Sequence, residues 1–303
     1  MSDLTDRTFV VTGATAGIGA ATSRGLADRG ACIFAVARSE QKLKRLLMAL
    51  NHDFDAEHCA FVADLSVVSE CRRVAVAIRD TGAVDVLVNN VGAVFPKRTM
   101  SPEGIEMTLA LNHLGPFVLT TSLLETLKTA TSPRVVNVAS QAHADHLDFA
   151  NLQGEHHYGG LDAYQRSKLL NILFTAELHR REGDWLTTGS LHPGVVQTAL
   201  LGDYDAAQAA ESEKARKQRG AGRRLLGKVA GRLRGTPQPS TGMSADEGAR
   251  TSLFVATSPK VLETPGRYWR ELQVAAPSSV AQDAKEARRA WKLTEGLLAE
   301  MRL

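Results

Sequence analysis

The amino-acid sequence predicts a doubly wound α/β fold, and three observations support that prediction. Short β-rich runs alternate with helix-length stretches along most of the 303 residues. The run Val84–Val88 is largely apolar, which is typical of a strand buried on both faces of a parallel sheet. A glycine-rich turn joins the first such run to the first helical pattern. Alternating strands and helices imply right-handed crossovers, with helices on both faces of a parallel sheet.

The expected elements follow one another in a regular order. The first strand is Thr8–Thr12, and the first helix, Gly19–Arg29, is expected to end at Gly30 because glycine commonly follows a helix. Further strands are expected at Cys32–Val36, His58–Val62, Val84–Val88, Arg134–Ala139, Leu186–Leu191 and Arg267–Leu272. A chain of this length can form one large domain, so residues 1–303 are expected to be a single domain.

Composition excludes several classes of protein. The net charge of +3 is too small to indicate a nucleic-acid partner. Three scattered cysteines, without a C-x-x-C pair, argue against a disulfide framework or a cysteine zinc site. The polar first residues lack the features of a signal peptide, and no stretch reaches the ~18 apolar residues of a membrane span. We therefore expect a soluble, cytoplasmic protein.

One segment, residues 203–240, interrupts the α/β pattern. It holds nine Lys/Arg and four Asp/Glu, a net charge of +5, whereas the rest of the chain carries −2. Three interpretations remain open: a mobile surface insertion, a lid over a bound substrate, or a basic amphipathic helix within 215–235 that contacts an anionic membrane. We treat the segment as a basic, lid-like insertion within the single domain.

The loop after the first strand has the composition of a phosphate-binding turn. Glycines lack Cβ atoms, so the backbone can turn tightly and approach a pyrophosphate, and the helix that follows offers free N–H groups to that anion. The placement between the first strand and the first helix makes this signal stronger than a glycine-rich loop alone. The candidate contacts are Gly13, Thr15, Ala16, Gly17, Ile18 and Gly19.

The end of the second strand indicates which dinucleotide binds. Sites for NAD usually carry an acidic residue there, but this sequence has Ala37 followed by Arg38 and Ser39. A guanidinium can bind a 2′-phosphate through charge-assisted hydrogen bonds, whereas a carboxylate would repel it. We therefore expect NADP(H), with Arg38 and Ser39 at the phosphate; the alternative is a solvated arginine at a strand end.

Two later strand ends add candidate cofactor contacts. Asp64 and Leu65 follow the third strand, and Asp64 either accepts a hydrogen bond from the adenine amino group or caps the helix that starts near Ser66. After the fourth strand, the amide of Asn90 can tie neighbouring strand ends together, and Gly92 lets the backbone pass close to the cofactor.

Tyr164 and Lys168 form the candidate proton-transfer pair. Their i, i+4 spacing on a helical pattern places the hydroxyl and the ammonium on one helix face. A free tyrosine has a pKa of about 10, and a nearby ammonium is expected to lower it. A tyrosine tuned in this way can give a proton to a carbonyl oxygen or remove one from an alcohol.

Two further residues complete the expected catalytic group. Ser140 ends the fifth strand, where its hydroxyl can hold a substrate oxygen as charge develops on it. Asn112 lies within a helical pattern, and its amide can hold a water molecule between Lys168 and solvent. Each residue has an ordinary structural explanation when taken alone, but the combination behind a dinucleotide loop favours catalysis.

These motifs resemble the classical short-chain dehydrogenase/reductase family. The matching motifs are Thr12-Gly13-x-x-x-Gly17-Ile18-Gly19, Asn89-Asn90-x-Gly92, Asn112, Ser140, Tyr164-x-x-Ser167-Lys168 and Pro193-Gly194. The resemblance implies a Rossmann fold with a seven-stranded parallel sheet and a catalytic tetrad of Asn112, Ser140, Tyr164 and Lys168. It also implies that Lys168 holds the nicotinamide ribose and that Pro193, Gly194, Val195 and Thr198 approach the carboxamide.

Within that family, the sequence is most similar to the retinol dehydrogenase group. The similar stretches are Asn151–Glu155, Tyr164–Phe174, Leu191–Gln197 and Asp246–Arg250. This similarity implies NADP(H)-dependent interconversion of a lipophilic carbonyl and alcohol, with reduction favoured, and family members are commonly homodimers or homotetramers. Alternatives are a biosynthetic tailoring enzyme acting on a bulky polycyclic or polyketide-like substrate, and a non-catalytic NADP-binding scaffold. Val91 departs from the alanine most common in Asn-Asn-x-Gly.

Four histidines, His143, His146, His156 and His157, precede Tyr164. No matching carboxylate or cysteine pattern accompanies them, so no metal site is expected.

Overall fold

The computed structural model describes residues 3–196 and 242–301, and one eight-stranded sheet forms its centre. The strand order is β3-β2-β1-β4-β5-β6-β7-β8, and every pairing from β3 to β7 is parallel. The strands are β1 Thr8–Thr12, β2 Cys32–Ala37, β3 Cys59–Val62, β4 Val86–Asn89, β5 Arg134–Val138, β6 Thr187–His192, β7 Arg267–Arg270 and β8 Gln273–Ala275. The predicted doubly wound parallel sheet is confirmed, and the basic segment 203–240 lies outside the described residues.

Helices cover both faces of the sheet. They are α1 Gly17–Ala27, α2 Glu40–Asp53, α3 Val68–Thr81, α4 Met107–Leu109, α5 Gly115–Leu127, α6 Gly160–Glu182, α7 Ala245–Thr257 and α8 Ala284–Glu300, with a π-helical turn at Ala110–Leu114 and 3₁₀ turns at Phe149–Asn151, Pro259–Glu263 and Val280–Gln282. Apolar side chains of α1, α2 and α7 pack in one cluster on one face. Those of α3, α5 and α6 pack on the other, where α8 adds a further layer against α6.

The sheet has one strand more than the seven expected from the sequence. The strand expected at Arg267–Leu272 stops at Arg270, because Glu271 and Leu272 adopt positive φ angles of 51° and 65°. Two such residues reverse the chain as a tight hairpin turn, and β8 returns antiparallel to β7 with Arg270 opposite Gln273. The sequence did not indicate this turn, since neither residue is the glycine or asparagine that it favours.

One helical run, Met107–Leu127, is long and apolar enough to cross a membrane by length and composition alone. In this structure 72% of the tested window is buried inside the protein. Side chains such as Phe117 and Leu123 belong to the cluster that α5 forms with α3 and α6. Its apolar composition is therefore that of a core helix.

The C-terminal helix α8 is joined to the centre of the molecule through Trp291 and Thr294. The ring of Trp291 lies 4.8 Å from that of Phe117, between ring centroids. Thr294 Oγ1 donates to the Ala290 carbonyl oxygen, so it accepts from His113 Nε2, which lies 2.9 Å away. Burial lowers the pKa of His113 to about 4, so this imidazole is neutral in the folded protein.

The buried His113 predicts a loss of stability in acid. Its pKa is near 6.5 when unfolded and about 4 when folded, so only the unfolded chain binds the proton between these values. The free energy of unfolding should therefore fall as the pH drops from about 6.5 to about 4. His113→Gln, whose amide can still donate to Thr294, should show a smaller fall in urea titrations across this range.

The matched control is His52→Gln, which removes an imidazole from the exposed surface. If the free energy of unfolding changes equally with pH in His113→Gln and in the unaltered protein, His113 is not the cause of this pH dependence.

Candidate active site

The glycine-rich loop between β1 and α1 is closely packed. Gly13 and Gly17 have φ angles of +65° and +50°, which glycine adopts without a steric penalty. A Cβ at Gly19 would collide with the Gly13 carbonyl oxygen and the Asn90 side chain. The cap residue Ala16 makes no side-chain hydrogen bond to α1. The first N–H groups of the helix thus have no side-chain cap, and their predicted contact with an anion stays a prediction.

The loops that follow β1 and β4 are hydrogen-bonded to each other. Thr12 Oγ1 accepts from the backbone N–H groups of Asn90 and Val91, at 3.0 and 3.1 Å. Asn90 Nδ2 donates in return to the Thr12 carbonyl oxygen at 2.9 Å. The chain order along the sheet reverses between β1 and β4, and open α/β sheets bind ligands at such a point. The hydrogen bonds hold this crevice in one shape.

A buried row of polar side chains crosses the sheet beneath the crevice. Asn89 Nδ2 donates to Thr120 Oγ1 and Asn137 Oδ1, both at 2.9 Å. Asn137 Nδ2 donates to Thr175 Oγ1 at 2.9 Å, which links β5 to α6. None of the sequence motifs predicted a role for Thr120, Asn137 or Thr175. The available signal was an asparagine inside the apolar strand Arg134–Val138.

Tyr164, Lys168 and Ser140 come together where β5 ends beside α6. Lys168 Nζ lies 5.5 Å from the centroid of the Tyr164 ring and donates to the Val138 carbonyl oxygen at 2.8 Å. The i, i+4 pair is therefore on one helix face, as predicted. Burial lowers the pKa of Lys168 to about 8.

The pKa of Tyr164 differs from the expectation. Burial raises it above its ordinary value, and a side-chain hydrogen bond with Ser140 offsets part of the rise. The sequence predicted that the Lys168 ammonium would lower this pKa. The predicted direction is wrong here because the hydroxyl is almost fully desolvated and the ammonium is directed to Val138.

Asn112 lies in the π-helical turn, and its side chain is hydrogen-bonded to the loop at Ala93 and to helix α6. Its Oδ1 accepts from Ala93 N at 2.9 Å, and its Nδ2 donates to the Ala93 carbonyl oxygen and to Ser167 Oγ, each at 3.0 Å. Ser167 Oγ donates onward to the Tyr164 carbonyl oxygen at 2.7 Å. Both amide hydrogens are thus used inside the protein, and Oδ1 keeps one lone pair. The predicted role in holding a water remains a prediction.

Gly92 lies between Asn112 and Lys168. A Cβ at Gly92 would stand 3.2 Å from Lys168 Nζ and 3.6 Å from Asn112 Oδ1. The glycine therefore lets the backbone run beside the ammonium, and the predicted approach of this backbone to the cofactor stays a prediction.

The expected phosphate contacts lie at the end of β2. Arg38 is exposed there, and Ser39 caps α2 by accepting from Lys42 N at 3.4 Å. At the end of β3, Asp64 Oδ1 accepts from Ser66 N at 3.0 Å and from Ser66 Oγ at 2.7 Å. The helix α3 begins only at Val68.

The cap of α3 comes from a distant residue. The Glu103 carboxylate accepts from the N–H groups of Val68 and Ser69, at 2.5 and 3.0 Å. Asp64 thus caps the turn at Ser66, as one alternative predicted, but the donors in the first turn of α3 bind Glu103, and the adenine contact of Asp64 stays a prediction. The neighbouring Leu65 is buried, and Gly115 packs against its carbonyl oxygen.

The predicted carboxamide contacts follow β6. Pro193 comes directly after the strand, Gly194 has a φ of +96°, and the Val195 carbonyl oxygen accepts from Met243 N at 2.9 Å. The predicted contact at Thr198 lies outside the described residues. Pro193–Val195 thus lie at the same edge of the sheet as Gly13 and Gly92.

The histidine cluster noted in the sequence does not form a metal-ligand set. No group of three or more His, Cys, Asp or Glu side chains with metal-binding geometry occurs within 3–196 and 242–301. His143 bonds the Ser140 carbonyl oxygen, and His157 lies 4.0 Å from Asp162.

Comparison with known proteins agrees with the motifs. The model of the family described as short chain dehydrogenase matches residues 7–209. Human retinol dehydrogenase 13 is 33% identical over 94% of this chain and 82% of its own length. Human retinol dehydrogenase 11 is 34% identical over 97% of this chain and 86% of its own length. Mouse polyprenol dehydrogenase is 32% identical over 96% of this chain and 83% of its own length.

Two solved structures are similar over most of their length. An uncharacterised protein from Mycobacterium Paratuberculosis superposes with a TM-score of 0.73 at 29% identity, covering 98% of this chain and 95% of that one. A structure from Beutenbergia cavernae superposes with a TM-score of 0.62 at 26% identity, covering 88% of this chain and 95% of that one. It is described as an NAD(P) dependent gluconate 5-dehydrogenase with bound NADP at low occupancy.

The packing at Gly19 predicts a specific intolerance of side chains. Gly19→Ala should lower the melting temperature, because its methyl group would displace the Gly13 carbonyl or the Asn90 amide. We expect a cost of about 1–3 kcal/mol, the range for an overpacked core. The control is Gly296→Ala, where a Cβ meets nothing within 4 Å and helix propensity favours alanine. Equal melting temperatures for the two variants would contradict this account of the loop.

Proposed function

The chain belongs to the short-chain dehydrogenase family of oxidoreductases, and from that membership we propose that it uses NADP(H) to interconvert a carbonyl and an alcohol on a lipophilic substrate. The observation that carries the proposal is the convergence of Tyr164, Lys168 and Ser140 at the sheet edge that also holds the glycine-rich loop. Reduction of the carbonyl is the proposed direction, since cellular NADP(H) usually favours it.

The residues at the crevice fit a dinucleotide. Gly13, Gly17 and Gly19 leave no side chain over the start of α1, whose N–H groups have no side-chain cap. A pyrophosphate would be held by those N–H groups and by the positive end of the helix. When bound, the cofactor supplies or accepts the hydride.

The end of β2 supports NADP(H) over NAD(H). Ala37 is the last residue of the strand, and the exposed Arg38 follows it. A guanidinium at this place attracts a 2′-phosphate, whereas the ribose hydroxyls of NAD(H) are usually held by a carboxylate. Ser39 is engaged as the cap of α2, so we assign the main phosphate contact to Arg38.

The proton chemistry follows from the hydrogen bonds of the site. Burial keeps the Tyr164 hydroxyl protonated, so a proton is available for a carbonyl oxygen, and the same burial raises its pKa and makes it a weaker acid than a group tuned to neutral pH. Ser140 Oγ accepts from Ala142 N at 3.1 Å, so its own proton can be directed to the Tyr164 oxygen or, with substrate bound, to the reacting oxygen. Lys168, with a pKa near 8, can exchange protons close to neutral pH.

Two lines support a lipophilic substrate. The similar proteins are named for retinol and polyprenol, and Val195 and Met243, which lie beyond the end of β6, expose apolar side chains. Val94 follows the Gly92-Ala93 turn, and Val195 and Met243 are hydrogen-bonded to each other beyond β6.

Tyr164→Phe tests the assigned proton donor. The variant should lose turnover by at least about 10², the usual contribution of a general acid, and keep its dissociation constant for NADPH. Turnover is followed by NADPH absorbance with retinal and a panel of lipophilic ketones, and binding by calorimetry.

The control for that variant is Tyr268→Phe, which removes a buried hydroxyl without a hydrogen-bond partner among the described residues. Turnover by Tyr164→Phe at the rate of this control would refute the assignment of Tyr164 as the proton donor. Absence of turnover in the unaltered protein, with NADPH still bound, would instead favour a non-catalytic binding protein.

Arg38→Asp tests the choice of cofactor. A carboxylate should repel the 2′-phosphate and accept hydrogen bonds from the ribose of NADH, so the ratio of NADPH to NADH affinity should fall by at least about tenfold. Arg45→Asp makes the same charge change on the exposed surface of α2 and is the control. An unchanged affinity ratio in Arg38→Asp would rule out Arg38 as the phosphate contact.

A further inference from the structure

The turn that carries Ser140 is hydrogen-bonded to a distant part of the chain through His143. His143 Nδ1 lies 2.9 Å from the Ser140 carbonyl oxygen. Its other ring nitrogen, Nε2, accepts from Ser278 N at 3.0 Å. Ser278 precedes the 3₁₀ turn Val280–Gln282 and helix α8, so one imidazole bridges the end of β5 and the C-terminal region.

Both partners of His143 are main-chain groups, and this determines its tautomer. A backbone N–H can only donate, so Nε2 must carry a lone pair toward Ser278. A backbone carbonyl can only accept, so Nδ1 must carry the hydrogen toward Ser140. The geometry therefore requires a neutral imidazole with its hydrogen on Nδ1, because an imidazolium would present an N–H to the Ser278 N–H.

The remaining groups of the turn are also bound. His192 Nδ1 accepts from Gln141 N at 3.0 Å, and burial lowers the pKa of His192 to about 4. Ser140 Oγ accepts from Ala142 N. The Ser140 carbonyl is therefore the group whose direction depends on His143, and the serine hydroxyl lies on the same residue. Rotation of this peptide would turn the hydroxyl away from Tyr164, whose pKa it helps to lower.

We propose that His143 is a positioning residue for Ser140, acting through its Nδ1–H bond to the Ser140 carbonyl oxygen. The proposal rests on the proposed function, in which Ser140 stabilises the reacting oxygen. It assigns the C-terminal region a part in catalysis, because Ser278 fixes the imidazole that fixes Ser140. Ser278 Oγ also donates to the Ala144 carbonyl oxygen at 3.4 Å, which adds a second link between these segments.

Two variants of His143 separate the two hydrogen bonds. The amide nitrogen of His143→Asn can occupy the place of Nδ1 and donate to Ser140, whereas the amide oxygen of His143→Gln can occupy the place of Nε2 and accept from Ser278. Positioning of Ser140 predicts that His143→Gln lowers kcat at least about tenfold, while His143→Asn stays within about threefold of the unaltered enzyme. Both should bind NADPH normally.

The exposed His146 supplies matched controls, since His146→Asn and His146→Gln should leave kcat unchanged. A purely structural role for His143 predicts instead that kcat follows melting temperature in all variants. Equal loss of kcat in His143→Asn and His143→Gln, or a loss explained by weaker NADPH binding, would overturn the proposal.

The tautomer can be measured without any substrate. Nitrogen-15 shifts of the His143 imidazole, assigned by comparison with His143→Gln, should show a neutral ring protonated at Nδ1 near pH 7. A ring protonated at Nε2, or an imidazolium, would overturn the positioning role even in a fully active enzyme. A protein that shows the expected tautomer and binds NADPH, yet reduces no carbonyl, would instead overturn the proposed function and the positioning role with it.

Discussion

Burial of the Lys168 ammonium constrains the rest of the site. An ammonium removed from water is costly unless it is paired or hydrogen-bonded, and here the Val138 carbonyl oxygen receives it at 2.8 Å. Three separate segments must meet around it: the end of β5, the helix α6 and the loop at Gly92, where a Cβ would stand 3.2 Å from Nζ. Movement of any of these segments would remove the hydrogen-bond acceptor of the buried ammonium or the groups packed around it. The buried charge therefore favours the arrangement in which all three segments are in place.

The parallel sheet provides the rigidity that this arrangement needs. Asn89 and Asn137 join β4, β5 and α6 through buried hydrogen bonds of their side-chain amides. Thr12 is hydrogen-bonded to the loop after β4, at the point where strand order reverses. Buried polar networks of this kind favour one arrangement because an unpaired member is costly. Asn112 adds a separate set of hydrogen bonds from the π-helical turn to Ala93 and to Ser167, one residue before Lys168. Such turns are frequent at functional sites.

The sequence predicted the parts of the fold that depend on local pattern. Strand positions agree within about two residues, and the Tyr164–Lys168 pair lies on one helix face because i, i+4 spacing requires it. Contacts between residues that are far apart in the sequence could not be predicted in this way. Glu103 caps a helix 35 residues earlier, and His113 meets a threonine 181 residues later. The turn at Glu271-Leu272 was missed because its residues are not typical of positive φ. Burial, which raises the pKa of Tyr164, is likewise a property of the folded protein.

The most direct test of the account is to follow the hydride itself. The unaltered protein would be incubated with retinal or a lipophilic ketone and with NADPH that carries two deuterium atoms at C4 of the nicotinamide, and the mass of the alcohol product measured by mass spectrometry. We predict that the product gains one deuterium from NADPH and much less from NADH labelled in the same way at equal concentration. Tight binding of NADPH without deuterium in any product, or preferred transfer from NADH, would contradict the account.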